Sequence, residues 1–175
     1  DRVYIPFPYH LFIAFWGAHY GSEKIGATVV PGGSASTEER VREIADLKCT
    51  AILCTPTYAL RLAETARKLG YDPVKLAVNK ICWGGEPGAS IPATKKRIEE
   101  AWGAKVYDQI GATEAPLWAY ECTEQRGLHI TEAMSYVEVL NPETYEAVGP
   151  GEIGTVIVTT FDRYAMPSIR YDLKD

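Results

Sequence analysis

The chain has no apolar run approaching the roughly 18 residues that a membrane-spanning helix requires. Its longest candidate, residues 11–18, is short and carries no cleavage-site pattern, so it reads as core and not as a leader. No Lys/Arg cluster exceeds Lys95-Lys96-Arg97, and the formal net charge is −5. That argues against nucleic-acid binding, which needs a basic face to neutralise phosphates. The four cysteines, Cys49, Cys54, Cys82 and Cys122, show no C-x-x-C spacing, and the three histidines show no H-E-x-x-H. Most of these cysteines lie in or beside apolar runs, so reduced thiols in a cytoplasmic protein are expected. Cys122 and His129 share a β-rich stretch, but a zinc site takes about four ligands and only these two can be named. No G-x-G-x-x-G follows the first strand-like run, which removes the dinucleotide fingerprint. There is no internal repeat and no low-complexity segment. Nor is there an initial Met. The chain opens on Asp1-Arg2-Val3 and stops at Asp175 behind a charged cluster, as a piece of something longer would.

What is present is the composition of a soluble globular protein, with 46% apolar and 23% charged residues. The 175 residues suffice for one domain or for part of a larger one. Residues 3–8 read as a strand and 10–21 as an apolar helix, stopped by Gly21 or Gly26. Residues 27–30 are β-branched and end at Pro31-Gly32-Gly33. Ser36-Thr37-Glu38-Glu39 fits a capping box opening a helix with Val41, Ile44 and Ala45 on one face. Residues 50–54 form the next strand. Thr55-Pro56 starts a helix, with a hydroxyl cap and proline at the first position, and Ala59, Leu62, Ala63, Ala66 and Leu69 share its face up to Gly70. Residues 77–83 form a strand, Ser90 and Pro92 open a helix to Trp102 and Gly103, and 105–110 form another strand. Strands separated by such helices imply βαβ units and a mainly parallel sheet over residues 1–115. Residues 116–175 change texture. Residues 129–140 and 154–161 are β-rich around turn-forming stretches, which implies a smaller antiparallel unit.

Two strand ends carry the chemistry. Ile81-Cys82-Trp83 runs into Gly84-Gly85-Glu86-Pro87, where glycines allow close backbone approach to a flat ligand; the plain alternative is a strand-to-loop turn. Val106-Tyr107-Asp108-Gln109-Ile110 runs into Gly111-Ala112-Thr113-Glu114. There an amide and a hydroxyl can meet a phosphate, and Glu114 can hold a divalent cation; the alternative is a helix start capped by Thr113. The aromatics Phe7, Tyr9, Phe12, Phe15 and Trp16 either wall an apolar pocket or form ordinary core. His10 and His19 are available as acid–base groups. Residues 95–100 read as the wet face of a helix, and the polar tail 167–175 as a solvated loop.

In order, Thr55-Pro56-Thr57-Tyr58-Ala59-Leu60, Gly85-Glu86-Pro87, the segment from Tyr107 to Glu114, and Met166-Pro167-Ser168-Ile169-Arg170-Tyr171 leading to Asp175 resemble the phenylacetate–CoA ligases. These belong to the adenylate-forming superfamily of acyl-CoA synthetases, and the resemblance spans essentially the whole chain. It implies an enzyme that uses ATP and Mg2+ to convert a small, aromatic carboxylic acid into an acyl-adenylate and then passes the acyl group to coenzyme A. It further implies that Gly85, Glu86 and Pro87 lie along the adenine, Asp108 reads its edge, and Gln109 and Ile110 flank it. Gly111, Ala112 and Thr113 would meet the α-phosphate, Glu114 magnesium, Asp175 the ribose, and Phe7 and Phe12 the aryl group. The chain departs from the wider pattern at Ile110, where a tyrosine is usual, and at Asp172-Leu173, where Arg-Thr is common. A phosphate loop upstream and a small C-terminal domain, both expected of the family, are absent, so this piece alone is expected to be inactive. Its open sheet edge invites a homodimer or aggregation. A carrier-protein thiol or a coenzyme as acceptor, and a nucleotide-binding module without turnover, are the alternatives.

Overall fold

The computed structural model describes residues 1–174 apart from Phe12, and the backbone alone of Trp83. In chain order the elements are β1 (Arg2–Ile5), α1 (Ile13–Lys24), β2 (Thr28–Pro31), α2 (Thr37–Asp46), β3 (Ala51–Cys54) and α3 (Pro56–Lys68). A 3₁₀ turn at Pro73–Lys75 leads to β4 (Lys80–Trp83), α4 (Pro92–Trp102) and β5 (Lys105–Tyr107). Then come β6 (Gln109–Ile110), β7 (Ala119–Glu121), β8 (Leu128–Ile130), β9 (Ser135–Leu140), β10 (Thr155–Thr160) and β11 (Tyr171–Asp172).

The first five strands form one parallel sheet in the order β2-β1-β3-β4-β5. Strand alternation sorts its two faces. Tyr4, Ile52, Ile81 and Val106 pack under α2, α3 and α4, against Val41, Leu62, Ile98 and the fully buried Trp102. Val3, Ile5 and Ala51 face the other way, toward Phe15 and Ala18 of α1. The chain turns back after β1 and runs onward after β2, so right-handed crossovers put α1 opposite the other helices. The α/β class with flanking helices is thus as expected. The β-rich part is two antiparallel three-stranded sheets, β6-β7-β8 and β9-β10-β11.

Local chemistry explains most boundaries. Ser36 Oγ accepts from the Glu39 amide at 3.2 Å, and Glu39 Oε2 accepts from the Ser36 amide at 2.8 Å, the reciprocal box expected at the start of α2. Those backbone and side-chain bonds to Ser36 hold the Glu39 carboxyl below the ordinary glutamate range. A lowered folded value means the stabilisation is present above the ordinary range and is lost as pH falls through the lowered one. Ser36→Ala is expected to cost about 1 kcal/mol in urea unfolding at neutral pH, and the difference from the parent should shrink under acid.

Four expectations need correction. Thr55 is the N-cap of α3, but its hydroxyl makes no capping bond; the Glu86 carboxylate accepts from the Thr57 amide and hydroxyl instead. The strand expected over 105–110 is divided at Asp108. Residues up to Tyr107 pair with β4, while Gln109 and Ile110 turn away to pair with Tyr120 and Ala119. No helix starts at Thr113; residues 111–118 form an irregular loop. The tail is not a loose loop, because Tyr171 and Asp172 pair with Val158 and Ile157.

Candidate functional site

The strand order reverses between β1 and β3, so the crevice beyond the carboxyl ends of those strands is where an open parallel sheet receives ligands. Three neighbouring strand ends deliver the singled-out segments to that side. β3 runs into Thr55-Pro56-Thr57, β4 into the turn 84–88, and β5 into Asp108 and the loop 111–118. They are tightly apposed. A Cβ on Gly88 would lie 2.2 Å from Pro56 Cγ, and one on Gly84 would lie 3.5 Å from Gln109 Nε2. Gly85 has φ +85°, a conformation that favours glycine. The Glu86 carboxylate ties the turn to Thr57, with Oγ1–Oε2 at 2.8 Å.

Asp108 is buried, and both carboxylate oxygens are engaged. Oδ1 accepts from the Gln109 amide at 2.9 Å, and Oδ2 accepts from the Ser90 hydroxyl. In the next loop the pattern inverts. The main chain of Thr113 and Glu114 is fixed, because Arg163 Nη1 donates to both carbonyls at 2.5 and 2.6 Å and Ser168 Oγ donates to the Glu114 carbonyl at 2.9 Å. Their side chains are uncommitted: among the described residues neither the Thr113 hydroxyl nor the Glu114 carboxylate makes a hydrogen bond or ion pair. An exposed hydroxyl and a half-buried carboxylate on a rigid loop suit an outside ligand. Oxygen donors of this kind fit a hard divalent cation shared with phosphate oxygens. Among the described residues no group of three or more His, Cys, Asp or Glu could hold a metal by itself, Cys122 and His129 included.

Phe7, just past β1, stacks on Phe15 at 4.7 Å between ring centroids and leans on Tyr58 at 5.6 Å. It is half-buried and packs against the core under the sheet. Phe12 and Asp175 lie outside the described residues. Trp16 and Tyr20 are turned outward on α1, whereas Phe15 and Tyr9 pack inward, so the first-helix aromatics divide between surface and core. His19 Nδ1 meets the Tyr9 hydroxyl at 3.0 Å, and His10 is exposed with φ 29°. Cys54 and Cys82 stand at the ends of β3 and β4, where burial pushes the Cys82 thiol up to about 11 and Cys54 higher still. They are therefore packing groups, not thiolate nucleophiles.

Several residues that build the site escaped sequence reasoning. Lys95 belongs to the stretch expected to be a wet helix face. Yet its side chain is only 17% exposed and pairs with Glu121 at 3.0 Å, while Lys96 and Glu100 do form a solvated pair. Arg163 and Ser168 reach back some fifty positions, and no local pattern announces such contacts.

Fold and strand order together define an α/β protein of the open parallel-sheet class, with its candidate site at the carboxyl ends of the strands. The sequence model of the AMP-binding enzyme family matches residues 1–161, and the chain belongs to that family. It is 34% identical over 178 residues to the phenylacetate–coenzyme A ligase of Pseudomonas putida and 39% identical over 166 residues to that of Thermus thermophilus. These alignments cover 100% and 93% of this chain but 40% and 37% of the relatives, so the chain spans well under half their length. A solved 2-hydroxyisobutyryl-CoA ligase in complex with its acyl-AMP and CoA superposes with a TM-score of 0.93 at 32% identity, over 98% of this chain and 39% of that one. A long-chain-fatty-acid–CoA ligase of Archaeoglobus fulgidus, 19% identical with a TM-score of 0.74 over 91% of this chain and 34% of that one, shares the fold.

Proposed function

We propose that this chain is the nucleotide- and acid-binding part of a longer cytoplasmic ligase that activates an aryl acid of the phenylacetate type with ATP and transfers the acyl group to coenzyme A. In that reaction the acid carboxylate attacks the α-phosphorus and pyrophosphate leaves. The coenzyme A thiol then attacks the acyl carbon and AMP leaves. The observation that carries the reading is the placement of three segments at adjacent strand ends: the glycine turn at 84–88, the fixed Asp108, and the uncommitted Thr113 and Glu114.

The roles are those the resemblance to this family implies, and the chemistry of each group is compatible with them. The open backbone of Gly85, Glu86 and Pro87 lies against the flat adenine face. Asp108 accepts from the adenine amino group, with Gln109 and Ile110 flanking the ring. Gly111 and Ala112 bring the main chain close to the α-phosphate, and Thr113 donates its hydroxyl to it. Glu114 would hold Mg2+, which when bound would neutralise charge building on the phosphate oxygens. Phe7 and Phe12 contribute an apolar wall for the aryl ring that keeps water from the mixed anhydride, and Asp175 bonds the ribose. Residues 1–115 would act as the nucleotide- and acid-binding core and residues 116–175 as a β-rich subdomain. The outer strands β2 and β5 leave pairing groups that suit a homodimer. No helix is long and apolar enough to cross a membrane among the described residues.

Acid-dependent ATP–pyrophosphate exchange by the full-length protein, over a panel of aryl and alkyl acids, tests the reading. Exchange with aryl acids is the expected result. Nucleotide binding with no exchange for any acid would replace it by a module without turnover.

A further inference from the structure

Resting on that reading, we infer that Ser90, Glu121 and Lys95 are positioning residues that aim Asp108 and thereby set the preference for adenine over guanine. Asp108 occupies the point where the chain leaves the parallel sheet, a place with no strand ladder of its own on both sides. Its geometry is supplied by the Ser90 and Glu121 side chains together with the Gln109 and Glu121 amides. Ser90 donates to Oδ2, and the Gln109 amide donates to Oδ1 at 2.9 Å. The Asp108 amide donates to Glu121 Oε2 at 3.1 Å, and its carbonyl accepts from the Glu121 amide at 2.8 Å. Lys95 Nζ clamps both Glu121 oxygens, at 3.0 and 3.1 Å.

This pair is not a surface ornament. The side chains of Lys95 and Glu121 are 17% and 9% exposed, so each would be costly without the other. Lys95, Glu121 and Ser90 line one cleft of about 270 Å³, so the three supports of Asp108 are neighbours. Two donors on its carboxylate leave a definite set of lone pairs free. Adenine offers an amino donor where guanine offers a carbonyl acceptor, so a carboxylate fixed at that edge accepts from the first and repels the second. Losing the Ser90 hydroxyl frees the carboxylate to rotate, and the discrimination weakens.

The experiment compares ATP with GTP in pyrophosphate exchange by the full-length protein, for the parent and for Ser90→Ala, Ser90→Thr and Lys95→Met. Ser90→Ala is expected to raise KM for ATP about tenfold and narrow the ATP/GTP ratio in kcat/KM by a similar factor, with KM for the acid unchanged. Ser90→Thr keeps a hydroxyl and should restore much of the ratio. Lys95→Met should lower the ratio in the same direction, and its unfolding midpoint reports any loss of fold. An unchanged ATP/GTP ratio in a folded Ser90→Ala protein that still exchanges with ATP overturns the inference and leaves the proposed function standing. A parent protein that shows no exchange overturns both.

Discussion

Glu114→Gln in the full-length protein is expected to lower acid-dependent ATP–pyrophosphate exchange by roughly a hundredfold or more, while the unfolding free energy stays within about 0.5 kcal/mol of the parent. Both halves come from the same observation. The Glu114 main chain is held by Arg163 and Ser168, but its carboxylate has no partner among the described residues. A side chain that stabilises nothing inside the chain can be changed without cost to the fold. Glutamine keeps the shape and removes the charge, so only the affinity for a cation and the charged phosphates should fall. Raising Mg2+ should recover part of the rate. Glu86 is the useful contrast. Its carboxylate caps α3 through Thr57, so Glu86→Gln should move the unfolding midpoint. If Glu114→Gln leaves exchange intact, the cation is held elsewhere and the assignment of the loop fails.

The contrast between those two glutamates also marks what a sequence can reveal. Both follow glycines at a strand end, and nothing in their neighbours tells which carboxylate is held inside the chain. Only the fold separates them, because the partner of Glu86 lies in another strand-to-helix junction, 29 positions away. Local signals fared well wherever the relevant contacts are local. The box at Ser36 and Glu39, the left-handed Gly103 closing α4, and the buried stripe of Ala59, Leu62, Ala63 and Ala66 were all legible from spacing. Alternation of strand and helix sufficed for the parallel sheet. The break at Asp108 was not legible, since β-prone Val106, Tyr107 and Ile110 flank it on both sides and the turn away comes from pairing with β7. The departures at Asp172 and Leu173 likewise gain a structural reading. Asp172 accepts from Lys174 and from the Thr155 hydroxyl at 2.8 Å, and these bonds hold its carboxyl below the ordinary aspartate range. Leu173 packs against the small apolar cluster that also holds Trp118 and Val158. Ile110 joins that cluster too, so a position that elsewhere carries tyrosine here contributes apolar packing.

Gly111→Ala in the full-length protein should lower exchange to below about one part in a hundred of the parent rate. The constraint is space and not dihedral freedom. A Cβ on Gly111 would sit 2.6 Å from the Leu117 amide nitrogen and 3.2 Å from its Cα, contacts with backbone that no rotamer change can relieve. The loop has little slack to absorb it. Ala112 donates to the Ala115 carbonyl at 2.9 Å, closing the turn from within. Thr131 grips the far side, its amide and hydroxyl reaching the Trp118 and Leu117 carbonyls at 2.8 and 3.1 Å. Leu117 already carries a φ of 35°, uncommon for a leucine. Arg163 and Ser168 hold the Thr113 and Glu114 carbonyls from the other hairpin. A displaced loop therefore carries both side chains away from the reacting phosphate together. Because Asp108 and the turn at 84–88 have their own supports, affinity for adenosine should fall far less than the exchange rate. Calorimetric titration with adenosine beside exchange kinetics separates the two. Equal losses in both would mean that the added methyl disturbs the whole crevice, and an unchanged rate would mean that the loop relaxes freely and that its rigidity plays no part in catalysis.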